Sequence, residues 1–153
     1  MTTNRTMGHL ELPTIATWLA RTGLLPFITL PFLIAFDLTR ATLWLELLRS
    51  YSLGILCFLL GAWWGLALIR RHTSALWLSN ALFLVNFFGY LILPASGYLV
   101  LAAMLFIALV IIEKRHPLFH LQPPYYAHLR LMLSATASLA LLAGAVLTGA
   151  AID

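Results

Sequence analysis

The sequence predicts an all-α integral membrane protein, a bundle of five transmembrane helices that forms a single membrane domain over residues 1–153. Hydrophobic residues make up 62% of the chain and charged residues 9%, whereas soluble domains contain roughly 45–50% and 25%. The apolar runs are unbroken and about 20 residues long, which is the length of a helix that crosses a bilayer. A membrane β-barrel would instead need alternating segments of about 10 residues.

Polar or proline-containing connections separate the five apolar segments. The predicted spans are about 14–37, 51–69, 74–93, 94–112 and 129–150. Pro26 and Pro31 lie in the first span, where a membrane helix tolerates them with a kink. The connector 37–50 is amphipathic, and the loop 113–130 is the longest connection. The first apolar run is not followed by a small-residue cleavage site, so we interpret it as a span and not as a signal peptide.

Lysine and arginine are distributed unevenly between the two predicted sides. One side carries seven of them and the other carries only Arg40 and Arg49. The seven are Arg5, Arg21, Arg70, Arg71, Lys114, Arg115 and Arg130. The positive-inside rule therefore places the N-terminus and the loop 113–130 in the cytoplasm and the C-terminus on the opposite side. We expect a multi-pass protein of the bacterial cytoplasmic (inner) membrane, or of the mitochondrial inner membrane in a eukaryote.

Five of these seven basic residues form a predicted interfacial surface. Its members are Arg70, Arg71, Lys114, Arg115 and Arg130. Anionic lipid headgroups attract such residues by about 1 kcal/mol each, and a protein partner could dock on them as well. Topology and lipid contact account for the net charge of +4, so no nucleic-acid partner is expected.

Small residues form stripes on the second and fifth spans. The predicted helix-packing positions are Gly54, Gly61 and Gly65 on the second span and Ala140 and Gly144 on the fifth. At about 100° per residue the three glycines fall within about 40° of one another. Such a face allows another helix to approach closely. That helix could belong to another subunit or to the same bundle, and packing inside the bundle is the favoured interpretation. Trp63 lies opposite the stripe and is expected to face lipid or a partner.

The third span carries the deepest polar groups, Ser79, Asn86 and Tyr90, on one face. An amide in hydrocarbon needs hydrogen-bond partners, so this face should point into the bundle. The favoured interpretation is interhelical hydrogen bonding, with Ser134, Thr136 or Ser138 of the last span as partners. The alternative is a polar pocket for a quinone headgroup, a lipid glycerol or a small solute.

No residue pattern indicates catalysis or cofactor binding. Asp37 and Glu113 lie at span ends, and no other acidic residue lies within a span, whereas ion-coupled transport usually needs an intramembrane carboxylate. Nucleotide-binding and hydrolase motifs are absent from the sequence. Its single cysteine, Cys57, can form no internal disulfide, and its five histidines lack a fixed helical spacing within the bilayer. We therefore predict no catalytic residues, no metal site, no cofactor and no enzymatic activity.

The second span resembles the glycine-rich helix of a bacterial and mitochondrial inner-membrane family of unknown function that includes transmembrane protein 69. The matching residues are Tyr51, Phe58, Leu59, Gly61, Trp64 and Gly65. Two further stretches are similar to the family, through Gly23, Pro26 and Phe27 and through Pro123, Tyr126, Leu129 and Arg130. Trp63 departs from the family's frequent histidine or arginine, and Leu60 from a glycine. The resemblance implies a small five-helix membrane protein and no established activity.

Two functions are consistent with these observations. The first is a non-enzymatic accessory, assembly or interaction protein of an energy-transducing membrane, acting through helix contacts within a larger membrane complex. The second is a lipid- or quinone-binding protein, or a carrier of a small solute, that uses the polar face of the third span.

Overall fold

The computed structural model describes residues 7–119 and 124–152 and the side chains of 14–119 and 126–149. Over these residues it contains helices and no strands. Five helical segments are long and apolar enough to cross a membrane: Thr14–Phe36, Leu38–Ile69, Thr73–Ile92, Ala95–Arg115 and Tyr126–Gly149. The predicted class, an all-α bundle of five membrane-crossing helices, is confirmed.

Six α-helices build these segments. They are α1 (Met7–Thr22), α2 (Leu25–Phe36), α3 (Ala41–Ile69), α4 (Thr73–Ile92), α5 (Ala95–Arg115) and α6 (Pro124–Ile152). Short 3₁₀ turns at Leu38–Arg40 and Pro117–Phe119 precede α3 and follow α5.

The first crossing consists of two helices, because the chain is interrupted between α1 and α2. Pro26 is near the start of α2, and it has no backbone N–H to donate to a preceding turn. The hydroxyl of Tyr51 on α3 donates a hydrogen bond to the Gly23 carbonyl at the interruption, at 2.8 Å. Pro31 lies inside α2. The break between α1 and α2 therefore lies before Pro26, the first of the two prolines in this crossing.

The second crossing is longer than the sequence predicted. Residues 41–50 of the expected connector are the first turns of α3, which continues without a break to Ile69. No glycine or proline lies between Ala41 and Leu53, so nothing in this stretch disfavours the helix. Within these first turns, Arg49 and Glu46 form a salt bridge of 2.7 Å.

The helices pack in a ring in which each contacts its neighbour in the order α2, α3, α4, α5, α6, and α6 contacts α2. In addition, α3 contacts α5 across the ring. The most buried helix is α5, with 44% of its apolar window inside the protein against 28% for α3. Its side chains Tyr98, Leu99 and Phe106 form the centre of the core. The bundle is therefore organised around α5.

Chain direction divides the bundle into two ends. We call the end with the turn at 70–72 and the connection from α5 to α6 the basic end, and the end with residues 37–40 and the turn at 93–94 the opposite end. Arg5, used in the topology count, and residues 120–123 of the predicted loop lie outside the described residues. The membrane orientation itself stays a prediction.

Candidate functional site

The glycine stripe of α3 faces outward, and here the favoured interpretation of packing within the bundle was wrong. Gly54 and Gly61 are exposed and Gly65 is half-buried. Apart from its own helix, no described atom lies within 4 Å of a Cβ added at any of the three. The large buried residues of α3 face the bundle instead, where they fill the space between the helices and make the dispersion contacts that hold helices together in lipid. Phe58 and Trp64 flank the stripe, and they are 72% and 45% exposed.

Small residues on α6 behave differently. Ala140 is half-buried and packs against the core. Gly144 is buried, and a Cβ added there would lie 2.8 Å from Leu48 Cδ2 and 3.4 Å from Leu99 Cδ1. The close approach of helices that glycine permits thus occurs at Gly144, and on α3 it has no counterpart within the described chain.

Trp63 points into the bundle, contrary to the expectation that it faces lipid or a partner. It is 4% exposed, and its ring packs on Phe119 with centroids 4.9 Å apart. Its indole N–H donates a hydrogen bond to Glu113 Oε1 at 2.8 Å. An indole that is buried needs such an acceptor, and the carboxylate at the end of α5 supplies it.

The acceptor of Trp63 also belongs to a buried ion pair. Arg130 Nε lies 3.0 Å from Glu113 Oε2 and Arg130 Nη2 lies 2.7 Å from Oε1. Both side chains are 8% exposed. This two-point geometry is the strong form of an arginine–carboxylate contact. The cluster of Trp63, Glu113 and Arg130, called here the ion-pair cluster, joins α3, α5 and α6 at the basic end.

The five predicted basic residues do not share one surface. Arg130 is buried in the ion-pair cluster, so its assignment to the interface was wrong. Arg70 is half-buried, and its guanidinium donates a hydrogen bond to the Leu118 carbonyl. Arg71, Lys114 and Arg115 are exposed. The predicted interfacial surface therefore reduces to these last three residues, with Arg70 at its border.

A cleft of about 480 Å³ opens between α1, α3 and α6 at the basic half of the bundle, and we call it the α6 cleft. Phe106 of α5 forms part of its wall. The other lining residues are Ala16, Leu19, Ala20, Gly23, Leu24, Phe27, Ile55, Phe58, Leu59, Tyr126, Leu129, Arg130, Leu133, Ser134 and Ala137. Most of these are apolar, and the polar side chains all belong to α6 at spacings of four residues.

Ser134 is unusual among the hydroxyls of α6. Thr136 donates to the Met132 carbonyl, Ser138 to Ala103, and Thr148 to Gly144. Ser134 is 3% exposed, and its hydroxyl has no hydrogen-bond partner among the described residues. Leaving a buried hydroxyl unpaired costs about 1–3 kcal/mol. Its position in the wall of the α6 cleft therefore needs an explanation.

The buried polar residues of α4, Ser79 and Asn86, do not bond to the last span, so the predicted partners there were wrong. Asn86 is fully buried. Its carbonyl oxygen accepts a hydrogen bond of 2.9 Å from the Tyr98 hydroxyl, and its amide donates to Cys57 Sγ at 3.7 Å. Ser79 is also buried, and it donates to the Leu76 carbonyl of its own helix. The hydrogen bonds of Asn86 and Ser79 are therefore made within the bundle.

Tyr90, the third residue of the predicted polar face, lies nearer the opposite end and makes its polar contacts with α3. Its hydroxyl lies 3.2 Å from that of Ser50, and the Arg49 guanidinium lies 4.7 Å from its ring centroid. Arg49 Nη2 also donates to the Tyr90 carbonyl at 2.9 Å. The ring meets Tyr98 edge-on at 5.2 Å. Arg49 is thus held by α4 as well as by Glu46.

Sequence reasoning missed the ion-pair cluster, although one signal for it exists. Glu113 ends one span and Arg130 begins the next, and consecutive antiparallel helices place such residues side by side. The inward direction of Trp63 has no comparable signal. Over the residues described, no group of three His, Cys, Asp or Glu side chains gathers where it could hold a metal ion.

Comparison with known proteins identifies the family of this chain. Residues 12–146 match the profile of a family described as "Protein of unknown function (DUF3429)". The chain belongs to this family. The finer resemblance to transmembrane protein 69 stays a prediction. No curated protein and no solved structure matched the chain. The family match and the five apolar helices together make this a membrane protein of the DUF3429 family whose activity the family description leaves open.

Proposed function

We propose that this protein is a non-enzymatic accessory or assembly protein that binds another transmembrane helix through the open glycine stripe of α3. The observation that carries the proposal is the empty space in front of Gly54, Gly61 and Gly65, where no described atom of another helix lies within 4 Å of an added Cβ. The partner is a helix of a larger membrane complex or a second copy of this chain.

The physical argument rests on what drives helices together in lipid. Lipid tails are as apolar as leucine, so helices associate through close packing and backbone contacts more than through burial of apolar surface. Exposed glycines allow a neighbouring backbone to approach and to gain dispersion and weak Cα–H···O contacts. Phe58 and Trp64 on either side of the stripe offer large side chains that a docked helix would cover.

Two further expectations belong to this proposal. The location is an energy-transducing inner membrane, as the resemblance implies. At the basic end, the exposed Arg71, Lys114 and Arg115 contact anionic headgroups, at about 1 kcal/mol per residue. Neither expectation requires catalysis, a metal or a cofactor.

The test replaces Gly61 by leucine and follows association and folding separately. Tagged wild-type protein, extracted from its native membrane in mild detergent, should be recovered with a partner chain or as a dimer by native mass spectrometry. Gly61→Leu should lose that association, because a bulky side chain holds the helices apart, and the monomer should keep its unfolding temperature.

The matched control is Gly149→Leu. Gly149 is an exposed glycine of α6 with no described neighbour within 4 Å, and it lies outside the stripe. This variant should keep the wild-type association. Recovery of the wild type only as a monomer, without any co-purifying chain, would contradict the proposal, as would unchanged association of Gly61→Leu.

A further inference from the structure

We infer that the α6 cleft is a binding site for a carbonyl-bearing amphiphile, whose apolar chain fills the cleft and whose carbonyl oxygen accepts a hydrogen bond from Ser134. This site lies beside the glycine stripe, and it is separate from the polar face of α4, whose buried groups are already paired within the bundle.

The size and position of the cleft suit a single chain. Its volume of about 480 Å³ falls within the roughly 300–1,000 Å³ of small-molecule sites. From Tyr126 to Ala137 it follows α6 for about 16 Å, at the helical rise of 1.5 Å per residue. That length is close to half of a hydrocarbon core of about 30 Å. A chain lying in the cleft would therefore occupy one leaflet from its basic-end interface to the middle.

Ser134 supplies the polar contact. Of the four serine and threonine hydroxyls that the structure describes on α6, at positions 134, 136, 138 and 148, it alone has no hydrogen-bond partner there. Ser134 is one of the residues that line the cleft, its hydroxyl is buried just behind the cleft surface, and hydrocarbon would surround it in a membrane. In such surroundings every polar group needs a partner. A ligand acceptor in the cleft provides one.

The ion-pair cluster indicates the charge of the ligand's polar group. Arg130 lines the cleft one helical turn before Ser134, so the two side chains are neighbours on α6. The guanidinium is already neutralised by Glu113 through two-point contact. An anionic headgroup there would be repelled by the Glu113 carboxylate as well as attracted by Arg130. A neutral carbonyl meets no such repulsion, and it is the acceptor that a hydroxyl donor selects.

Two sources carry this chemistry: the ring carbonyl of an isoprenoid quinone and the ester carbonyl of a glycerolipid. Each combines one neutral acceptor with a long apolar chain. Decylubiquinone and monoolein, each dispersed in detergent micelles, are probes for the two sources. Their dissociation constants with the purified full-length protein in detergent micelles can be measured by isothermal titration calorimetry.

Three variants make the measurement specific. Ser134→Ala removes the donor, Ala20→Phe fills the apolar part of the cleft, and Ser138→Ala is the matched control, since Ser138 is an equally buried α6 hydroxyl that already bonds to α5. We expect Ser134→Ala to weaken the tighter probe by about 3- to 10-fold, the size of one neutral hydrogen bond. Ala20→Phe should abolish binding of both probes, and Ser138→Ala should leave the constants within 2-fold of the wild type.

Unfolding temperatures without probe verify that folding is unaffected. Ser134→Ala should equal or exceed the wild type, because it removes an unpaired buried hydroxyl. Tighter binding of decylubiquinone identifies a quinone as the source, and tighter binding of monoolein identifies a glycerolipid. The inference is overturned if the wild type binds neither probe, if Ser134→Ala binds both with wild-type constants, or if Ala20→Phe binds as the wild type does.

Discussion

The two faces of α3 differ in what they bury, although both belong to one continuous apolar segment. The inward face carries the large buried residues, among them Leu48, Leu56 and Trp63. The outward face carries Gly54 and Gly61, with no described neighbour. A stripe of small residues can therefore stay exposed on a helix whose packing contacts are made by its opposite face. Substitutions on the two faces should therefore affect different properties, folding on one and association on the other.

The largest effect is expected at the ion-pair cluster, which anchors the inward face. Glu113→Ala leaves Arg130 charged and buried without a counterion and removes the acceptor of Trp63. Breaking a buried pair in this way costs about 3–5 kcal/mol of unfolding free energy, which titration with a denaturing detergent can measure. The double variant Glu113→Leu, Arg130→Met removes both charges and should recover most of that loss.

The control for this prediction is a partly exposed ion pair within α3. Arg49 and Glu46 are joined at the same distance of 2.7 Å, but the Glu46 side chain is 53% exposed. Surface pairs contribute only about 0–1 kcal/mol. Glu46→Ala should therefore lower the unfolding free energy by no more than about 1 kcal/mol. Equal losses for Glu46→Ala and Glu113→Ala would show that burial does not distinguish the two pairs.

How far the sequence predicts this molecule depends on the kind of information each feature needs. Apolar runs of bilayer length are local, so they identified all five crossings. Helical periodicity is also local, and it correctly placed Trp63 opposite Gly61. Periodicity fixes only the relative positions of two faces, however, and which of them turns inward depends on the neighbouring helices. The inward direction of Trp63 follows from its contacts with Phe119 and Glu113, about 50 residues away along the chain.

The candidate ligand site was less predictable than the fold. Ser134 was visible in the sequence as a possible hydrogen-bonding residue, but its lack of a partner within the described chain depends on coordinates. The α6 cleft is formed jointly by residues of α1, α2, α3, α5 and α6, so locating it requires the relative positions of these helices. Asn86 was correctly recognised as needing partners. Those partners, Tyr98 and Cys57, are not marked by any spacing relative to it.

The second prediction compares glycines that differ in surroundings. Gly144→Leu forces a side chain against Leu48 of the inward face, where even a Cβ would lie at 2.8 Å. Overpacking of this kind typically costs about 1–3 kcal/mol, so the unfolding free energy should fall by that amount. Gly61→Leu, on the outward face, should leave it unchanged while reducing association. A fall of equal size for both variants would mean that the two faces do not differ in packing.

The smallest effect is expected at the flank of α3 that faces α4, where Asn86 bonds to Tyr98 and Cys57. Hydrogen bonds between membrane helices average about 0.6 kcal/mol in double-mutant cycles and reach about 1.7. The cycle of Asn86→Leu and Tyr98→Phe should give a coupling in this range, because both groups are fully buried. The control cycle pairs Ser50→Ala with Tyr90→Phe, whose hydroxyls lie 3.2 Å apart at an exposed position. Solvent or headgroups can replace that contact, so its coupling should be near zero. A control coupling as large as that of the buried pair would mean that burial does not set the strength of these bonds.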